Sequence, residues 1–211
     1  MLRQPLFTTL APLILASSSP RRQQMLQTMG LRFAIIPAHI DEILQPGEPP
    51  RDFALRLAKD KARAVASNHP DAWVLGADTV VTLEGMILDK PRDPDDALAI
   101  LRQLTGRTHQ VMTAICLCSQ AQRIEQTEVD ITSVTFTAAP DQILTAYVAT
   151  GEPLDKAGAY GIQGAGACLV RRIEGSCANV IGLPIDRVIA LLLHHRVITT
   201  TEQYPSVTTN T

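Results

Sequence analysis

Two clusters in this 211-residue chain combine residue types suited to phosphate and water chemistry. The first is Ser17-Ser-Ser-Pro-Arg-Arg22, which follows an apolar run and opens a helical pattern. Hydroxyls, unpaired first-turn amides and the positive end of a helix dipole converge at such a junction, a natural anion site. Arg21 and Arg22 add planar donor forks that match phosphate oxygens. Read alone, these residues make an ordinary helix cap with solvated arginines somewhat more readily than an anion site. The second is Asp78, set between Val74-Leu-Gly-Ala77 and Val80-Val81. Burying a carboxylate there is costly unless it meets a cation or lines a cleft. A metal-bound or base-acting carboxylate satisfies both demands, as does a structural carboxylate bonded to backbone amides.

Further residues become informative in combination. Asp41-Glu42 could bring a second carboxylate to the same cleft, although such a pair is more often a solvated turn. Hard oxygen ligands of this type suit Mg²⁺ or Mn²⁺, which usually hold substrate phosphate as well. Lys61 and Lys90 are unremarkable singly, but Lys90 is pinned between a hairpin strand and Pro91. Two lysines, an arginine pair, a metal and a helix N-terminus would stabilise charge growing on phosphorus oxygens and on a leaving pyrophosphate. In Ala157–Gly164 the glycines let backbone approach a ligand, and Gln163 has the donor and acceptors to read the edge of a base. The five histidines show no H-E-x-x-H spacing, and no Walker loop or G-x-S-x-G elbow occurs.

Short apolar strands alternating with amphipathic helices must position these groups, a pattern that favours an α/β fold. Leu13–Ala16 reads as a strand. It runs into a helix with Ser19 as cap, Pro20 in the first position and Gly30 as stop. Phe33–Ile36 is a second short strand, and a helix spans roughly Pro50–Ser67. Phe53, Leu57 and Ala64 mark its buried side, with Lys59 and Lys61 elsewhere. Trp73–Val81 and Met86–Leu88 form a hairpin delivering Asp89-Lys90-Pro91. Asp93 caps a helix that Gly106 stops. Two longer strands, about Thr108–Leu117 and Arg123–Phe136, carry β-branched alternation. A helix from Pro140 to about Thr150 leads to the glycine-rich segment. Residues 1–198 read as one domain and 199–211 as a disordered polar tail.

Composition narrows the class. Hydrophobic residues make up 45% and aromatics only 4%, so the core is built on Leu, Ile, Val and Ala. A formal charge of −2 with no basic run leaves no footprint for duplex nucleic acid. The four cysteines match no common zinc or disulfide framework, which points to reduced, mostly buried thiols and a cytoplasmic location. Pro5 and Pro12 interrupt the apolar start, unlike a secretory signal. The later run Val188–Leu193 is too short to span a bilayer.

In this order the pieces resemble the Maf family of nucleotide pyrophosphatases, from Leu13 to about Leu193. The resemblance rests on Ser17-x-Ser19-Pro-Arg-Arg22, Asp41-Glu42, Lys61-Ala62, Gly76-Ala-Asp-Thr-Val80 and Asp89-Lys-Pro91. It extends through His109-Gln-Val-Met-Thr113, Asp155-Lys-Ala-Gly-Ala-Tyr-Gly-Ile-Gln-Gly164 and Gly182-Leu-Pro184. It implies a two-lobed α/β fold like that of inosine triphosphate pyrophosphatases, a mixed sheet with flanking helices and the site between lobes. It implies hydrolysis of dTTP or UTP to the monophosphate and pyrophosphate, in house-cleaning of nucleotide pools. Asp78 would accept the proton of the attacking water. Ser17, Ser19, Arg21, Arg22, Lys61 and Lys90 would hold the phosphates, and Glu42 would help Asp78 with a divalent metal (Mg²⁺, Mn²⁺ or Co²⁺). Thr79 and Gln163 match the pyrimidine branch rather than the 7-methyl-GTP branch. A homodimer is implied as well. The rival reading is a nucleotide-binding regulator of septum formation, and the charged cleft residues favour catalysis over it.

Overall fold

The computed structural model describes residues 5–201. In chain order its first elements are β1 (Phe7–Thr9), β2 (Leu13–Leu15), α1 (Pro20–Thr28), β3 (Ala34–Ile35), α2 (Pro50–Ala66), β4 (Trp73–Leu83), β5 (Met86–Leu88) and α3 (Pro94–Leu104). Then come β6 (Thr108–Ser119), β7 (Ile124–Phe136), α4 (Asp141–Ala149), three short 3₁₀ turns between Glu152 and Leu169, β8 (Val170–Glu174), α5 (Cys177–Ile181), α6 (Ile185–His194) and β9 (Ile198–Thr200). One mixed sheet runs β3-β2-β4-β6-β7-β8, with β5 joined to β4.

Alternation along β4 sorts its side chains between two faces of the sheet, because successive Cβ atoms point opposite ways. Leu75 and Ala77 enter a core with Leu26 of α1 and Val188, Leu191 and Leu192 of α6. Val74 and Val80 enter another with Phe53, Leu57, Ala58 and Ala62 of α2. These layers make the first lobe. Beyond Val80 the same strand continues into a second lobe, where Val81 and Leu83 pack with Leu101 and Leu104 of α3 and Leu144 and Val148 of α4. There Asp93 caps α3, its carboxylate accepting from the Asp96 N–H at 2.8 Å.

The partners of β4 explain where the lobes part. One edge pairs with β6 from Val74 to Thr82. The other pairs parallel with β2 only through Leu75, and antiparallel with β5 only from Val81. Among the described residues, 76–80 therefore have no strand neighbour on that edge. An opening where a sheet changes direction is a recurrent ligand position in α/β folds.

Helix α2 comes unusually close to β4 beside this opening. A Cβ on Gly76 would clash with the Ala58 carbonyl and lie 2.8 Å from the Ala62 nitrogen. Glycine here lets the helix settle onto the strand and carries Lys61 to the level of Asp78.

Several expectations need correction. Lys61 was placed off the buried stripe of α2, yet it is only 8% exposed and sits one turn after Leu57 on the packed face; Ala64 is only half-buried. Thr199 and Thr200, expected in a disordered tail, form β9 with Ile198 and pair antiparallel with β1. Residues 202–211 lie outside the described residues. Strands β1 and β8 carried no signal strong enough to be anticipated. The cysteines divide evenly, with Cys116 and Cys118 buried and Cys168 and Cys177 exposed.

Candidate active site

A cavity of about 810 Å³ lies between the lobes at the open edge of β4. Ser17, Ser19, Arg21, Arg22, Glu42, Lys61, Asp78, Thr79, Lys90 and Gln163 all line it. The sequence-selected residues thus converge on one cleft, although they arise from six separate parts of the chain.

Asp78 points to the α2 side of the sheet and is 7% exposed. The Lys61 ammonium donates to Asp78 Oδ1 at 2.7 Å and pairs with Glu42 Oε1 at 2.6 Å. One cation therefore bridges two carboxylates, and a buried charge has the partner it needs. This arrangement changes the expected role of Lys61. Its first partners are the carboxylates, and it orients them while leaving its positive charge at the cleft floor.

Arg22 occupies the other face. Its Nε donates to Gly182 O at 2.8 Å, and Nη1 donates to Ser17 Oγ at 3.0 Å and Ala77 O at 2.9 Å. Nη2 donates to Thr79 Oγ1 at 3.0 Å. Four of the five donors of a guanidinium are thereby committed to protein oxygens. The bond to Ala77 O occupies part of the edge that no strand covers. Arg22 is chiefly a staple joining α1, β4 and the Gly182 turn, with one N–H left for an anion. Burial lowers its pKa from the ordinary value while the Asp78 charge opposes that shift. Thr79 is likewise engaged, 2.9 Å from Thr113 Oγ1.

The cleft rim differs. Ser19 stands at the N-cap of α1 without the capping bond expected of its side chain, and its own N–H donates to Ser17 Oγ at 3.3 Å. Arg21 pairs with Asp155 at 3.2 Å. Lys90 and Gln163 are exposed, and neither has an ion-pair or hydrogen-bond partner among the described residues. The sequence reading gave no role to three charged lining residues, Glu152, Asp155 and Lys156, although the last two stand in the Asp155–Gly164 block. Lys156 donates to Asp155 Oδ1 at 2.6 Å and to Glu152 O at 2.5 Å, and Glu152 binds the glycine-rich segment. The signal for all three was position, since they open the segment that carries Gln163.

The donor set fits a divalent ion of the Mg²⁺ kind. Such an ion takes one or two protein carboxylates and completes its shell with water and substrate phosphate. Asp78 and Glu42 each spend one oxygen on Lys61, and the second oxygen of each stays available. No group of three His, Cys, Asp or Glu side chains gathers as a metal site among the described residues.

The other titratable groups have structural roles. His109 is buried, its Nε2 2.7 Å from Tyr160 Oη and its ring edge-on to Phe136. Burial lowers its pKa to about 4, so the ring is neutral. Burial likewise pushes the Cys116 thiol up to about 12 and leaves it unreactive. Trp73 is packed in the first-lobe core, 5.1 Å from the His195 ring.

The fold and interlobe cleft define a two-lobed α/β protein whose fold is similar to that of two Ham1 proteins. A HAM1 protein from Coxiella burnetii superposes with a TM-score of 0.51 at 14% identity, covering 88% of this chain and all of that one. The Staphylococcus aureus Ham1 protein gives 0.52 at 15% identity, covering 87% and 99%. The chain belongs to the Maf-like protein family, whose profile matches residues 12–195. A Desulfotalea psychrophila protein named dTTP/UTP pyrophosphatase is 50% identical over 187 residues, covering 89% of this chain and 96% of that one. One of the same name from Escherichia coli O157:H7 is 50% identical over 181 residues, covering 85% and 91%. No helix among the described residues is long and apolar enough to cross a membrane.

Proposed function

We propose that this chain is a nucleoside triphosphate pyrophosphatase that converts dTTP or UTP to the monophosphate and pyrophosphate. The observation that carries the reading is the Asp78 carboxylate, held by Lys61 at the open edge of β4 beneath a cationic rim. The name and activity of relatives at 50% identity over most of both chains support the choice of substrate.

The site residues divide the work. The triphosphate lies under Arg21, Lys90 and the free amides of the first α1 turn, which offset its charge. A water beside Asp78 attacks the α-phosphorus. A bond forms from the water oxygen to phosphorus, and the bond to the oxygen bridging to the β-phosphate breaks. Asp78 takes the water's proton, and pyrophosphate departs with the electrons of the broken bond. Lys61 keeps Asp78 and Glu42 aimed at the cleft. Asp78 and Glu42 would hold Mg²⁺, Mn²⁺ or Co²⁺ with substrate oxygens; when bound, such an ion neutralises the phosphate oxygens and the leaving group. Gln163 reads the base edge. One chain supplies all of these residues; a homodimer and a cytoplasmic location belong to the same proposal.

The test is pyrophosphate release from dTTP, UTP, CTP, GTP, ATP and 7-methyl-GTP, with Mg²⁺ or Mn²⁺ and with EDTA. Metal-dependent release concentrated on dTTP and UTP supports the reading. Release from 7-methyl-GTP alone would overturn the substrate, and release from none would overturn the activity.

A further inference from the structure

Gln163 is exposed on a loop of alanine and glycine, a poor support for a side chain that must read a base. The loop is nevertheless tied down on both sides of Gln163 by one pair of side chains. Tyr147, in the last turn of α4, is 4% exposed. Its hydroxyl accepts from the Gly161 N–H at 3.1 Å and donates to Glu152 Oε1 at 3.0 Å. The other Glu152 oxygen accepts from the Ala165 N–H at 2.8 Å, and Oε1 also accepts from the Gly166 N–H at 3.4 Å. Backbone donors on either flank of Gln163 therefore converge on the Tyr147–Glu152 pair. Contact is tight enough to dictate residue type: a Cβ on Gly164 would lie 2.6 Å from Glu152 Cδ. Burial, with the Glu152 charge adding to it, keeps the Tyr147 phenol protonated and donating.

We infer that Glu152, acting with Tyr147, is a positioning residue for substrate selection that fixes the loop bearing Gln163 against the cleft. This inference rests on the proposed reading as a pyrimidine nucleoside triphosphate pyrophosphatase. The pair need not touch the nucleotide. Its carboxylate replaces the regular structure that this loop lacks, presenting a preorganised amide to the base. Charged acceptors bind N–H donors more strongly than neutral ones, so an amide in place of the carboxylate weakens the tie without changing its shape. In Glu152→Gln the new NH₂ must also face one of the donors that the carboxylate now accepts.

The experiment is a double-mutant cycle on kcat/KM for UTP and for GTP, using wild type, Glu152→Gln, Gln163→Ala and the double variant. Thermal melts report folding. Wild type prefers UTP, and Glu152→Gln reduces that preference about tenfold, through KM rather than kcat. In the Gln163→Ala background the same substitution costs no further selectivity, because the residue it positions is gone. If Glu152→Gln lowers Tm by several degrees, Tyr147→Phe, which keeps the ring in its cavity, replaces it with the same expectation. Unchanged selectivity, or losses that simply add in the double variant, would overturn the inference while leaving the proposed function intact. Failure of wild type to hydrolyse UTP would overturn both.

Discussion

Asp78 and Thr79 are neighbours in β4, yet they leave the strand on opposite faces and into opposite chemistry. On the α2 side, Asp78, Lys61 and Glu42 form a charged cluster whose carboxylates each keep an oxygen free toward the cleft. On the α1 side, Thr79 joins a chain of mutual hydrogen bonds: Arg22 donates to it, Thr113 Oγ1 lies 2.9 Å away, and Thr113 donates to Asn179 O at 3.0 Å. Asn179 extends the chain, donating to Val111 O at 3.0 Å and Thr132 Oγ1 at 2.8 Å. The difference separates two jobs. Groups with unused lone pairs at a cleft can act on a substrate, whereas groups that satisfy one another hold the lobes in register. The sequence resemblance places both Arg22 and Lys61 on phosphate, whereas here Arg22 bonds chiefly to protein oxygens and Lys61 to two carboxylates.

The contrast can be broken by variants on each face. Asp78→Asn keeps an oxygen for Lys61 but loses the proton acceptor. Turnover should fall about 10²- to 10⁴-fold, beyond what the accompanying loss of the buried ion pair takes from Tm, and near-full turnover would remove Asp78 from its role. On the same strand as Thr113, buried His109 has a folded-state pKa of about 4, below the ordinary 6.5. Below pH 6.5 the unfolded chain takes up a proton that the folded chain resists until about pH 4, so stability is full above that window and declines through it. The decline amounts to about 3 kcal/mol at most. Urea midpoints at neutral and acid pH should differ accordingly, and His109→Gln should reduce the slope.

Smaller effects refine the division. Arg22→Lys keeps the charge but cannot donate in the same four directions, so it should cost about 2 kcal/mol of stability. The accompanying fall in kcat/KM should be about tenfold through misplacement of α1. If kcat/KM collapses with Tm unchanged, Arg22 belongs with the substrate ligands instead. Thr113→Val removes a hydroxyl that touches no substrate in this account. A loss of about 1 kcal/mol in chemical denaturation, with kcat preserved, is expected.

Much of this arrangement was legible in the sequence because local rules governed it. The strand before Ser17, the β4–β5 hairpin and the Asp93 cap follow from apolar runs, turn residues and capping chemistry close in sequence. Asp78 stood out because a carboxylate in an apolar strand demands an explanation. Other features depended on distant partners. Strands β1 and β9 are three residues each and pair across most of the chain, so neither carries a period of its own. Val170-Arg-Arg-Ile-Glu174 becomes β8 only by pairing beside β7. The sequence reading set Lys61 apart from the Leu57 face despite their i, i+4 spacing, because burial of a lysine makes sense only once Asp78 is known to lie opposite. The commitment of Arg22 to four protein oxygens and the hold of Glu152 on the Gln163 loop are both tertiary, and nothing in their local sequence announces them.

The most direct test of the central claim is a single turnover of dTTP in ¹⁸O-labelled water, with the products separated and weighed by mass spectrometry. Attack at the α-phosphorus by the water beside Asp78 predicts label in dTMP and none in pyrophosphate. Label in pyrophosphate would mean attack at the β-phosphorus and would contradict the account.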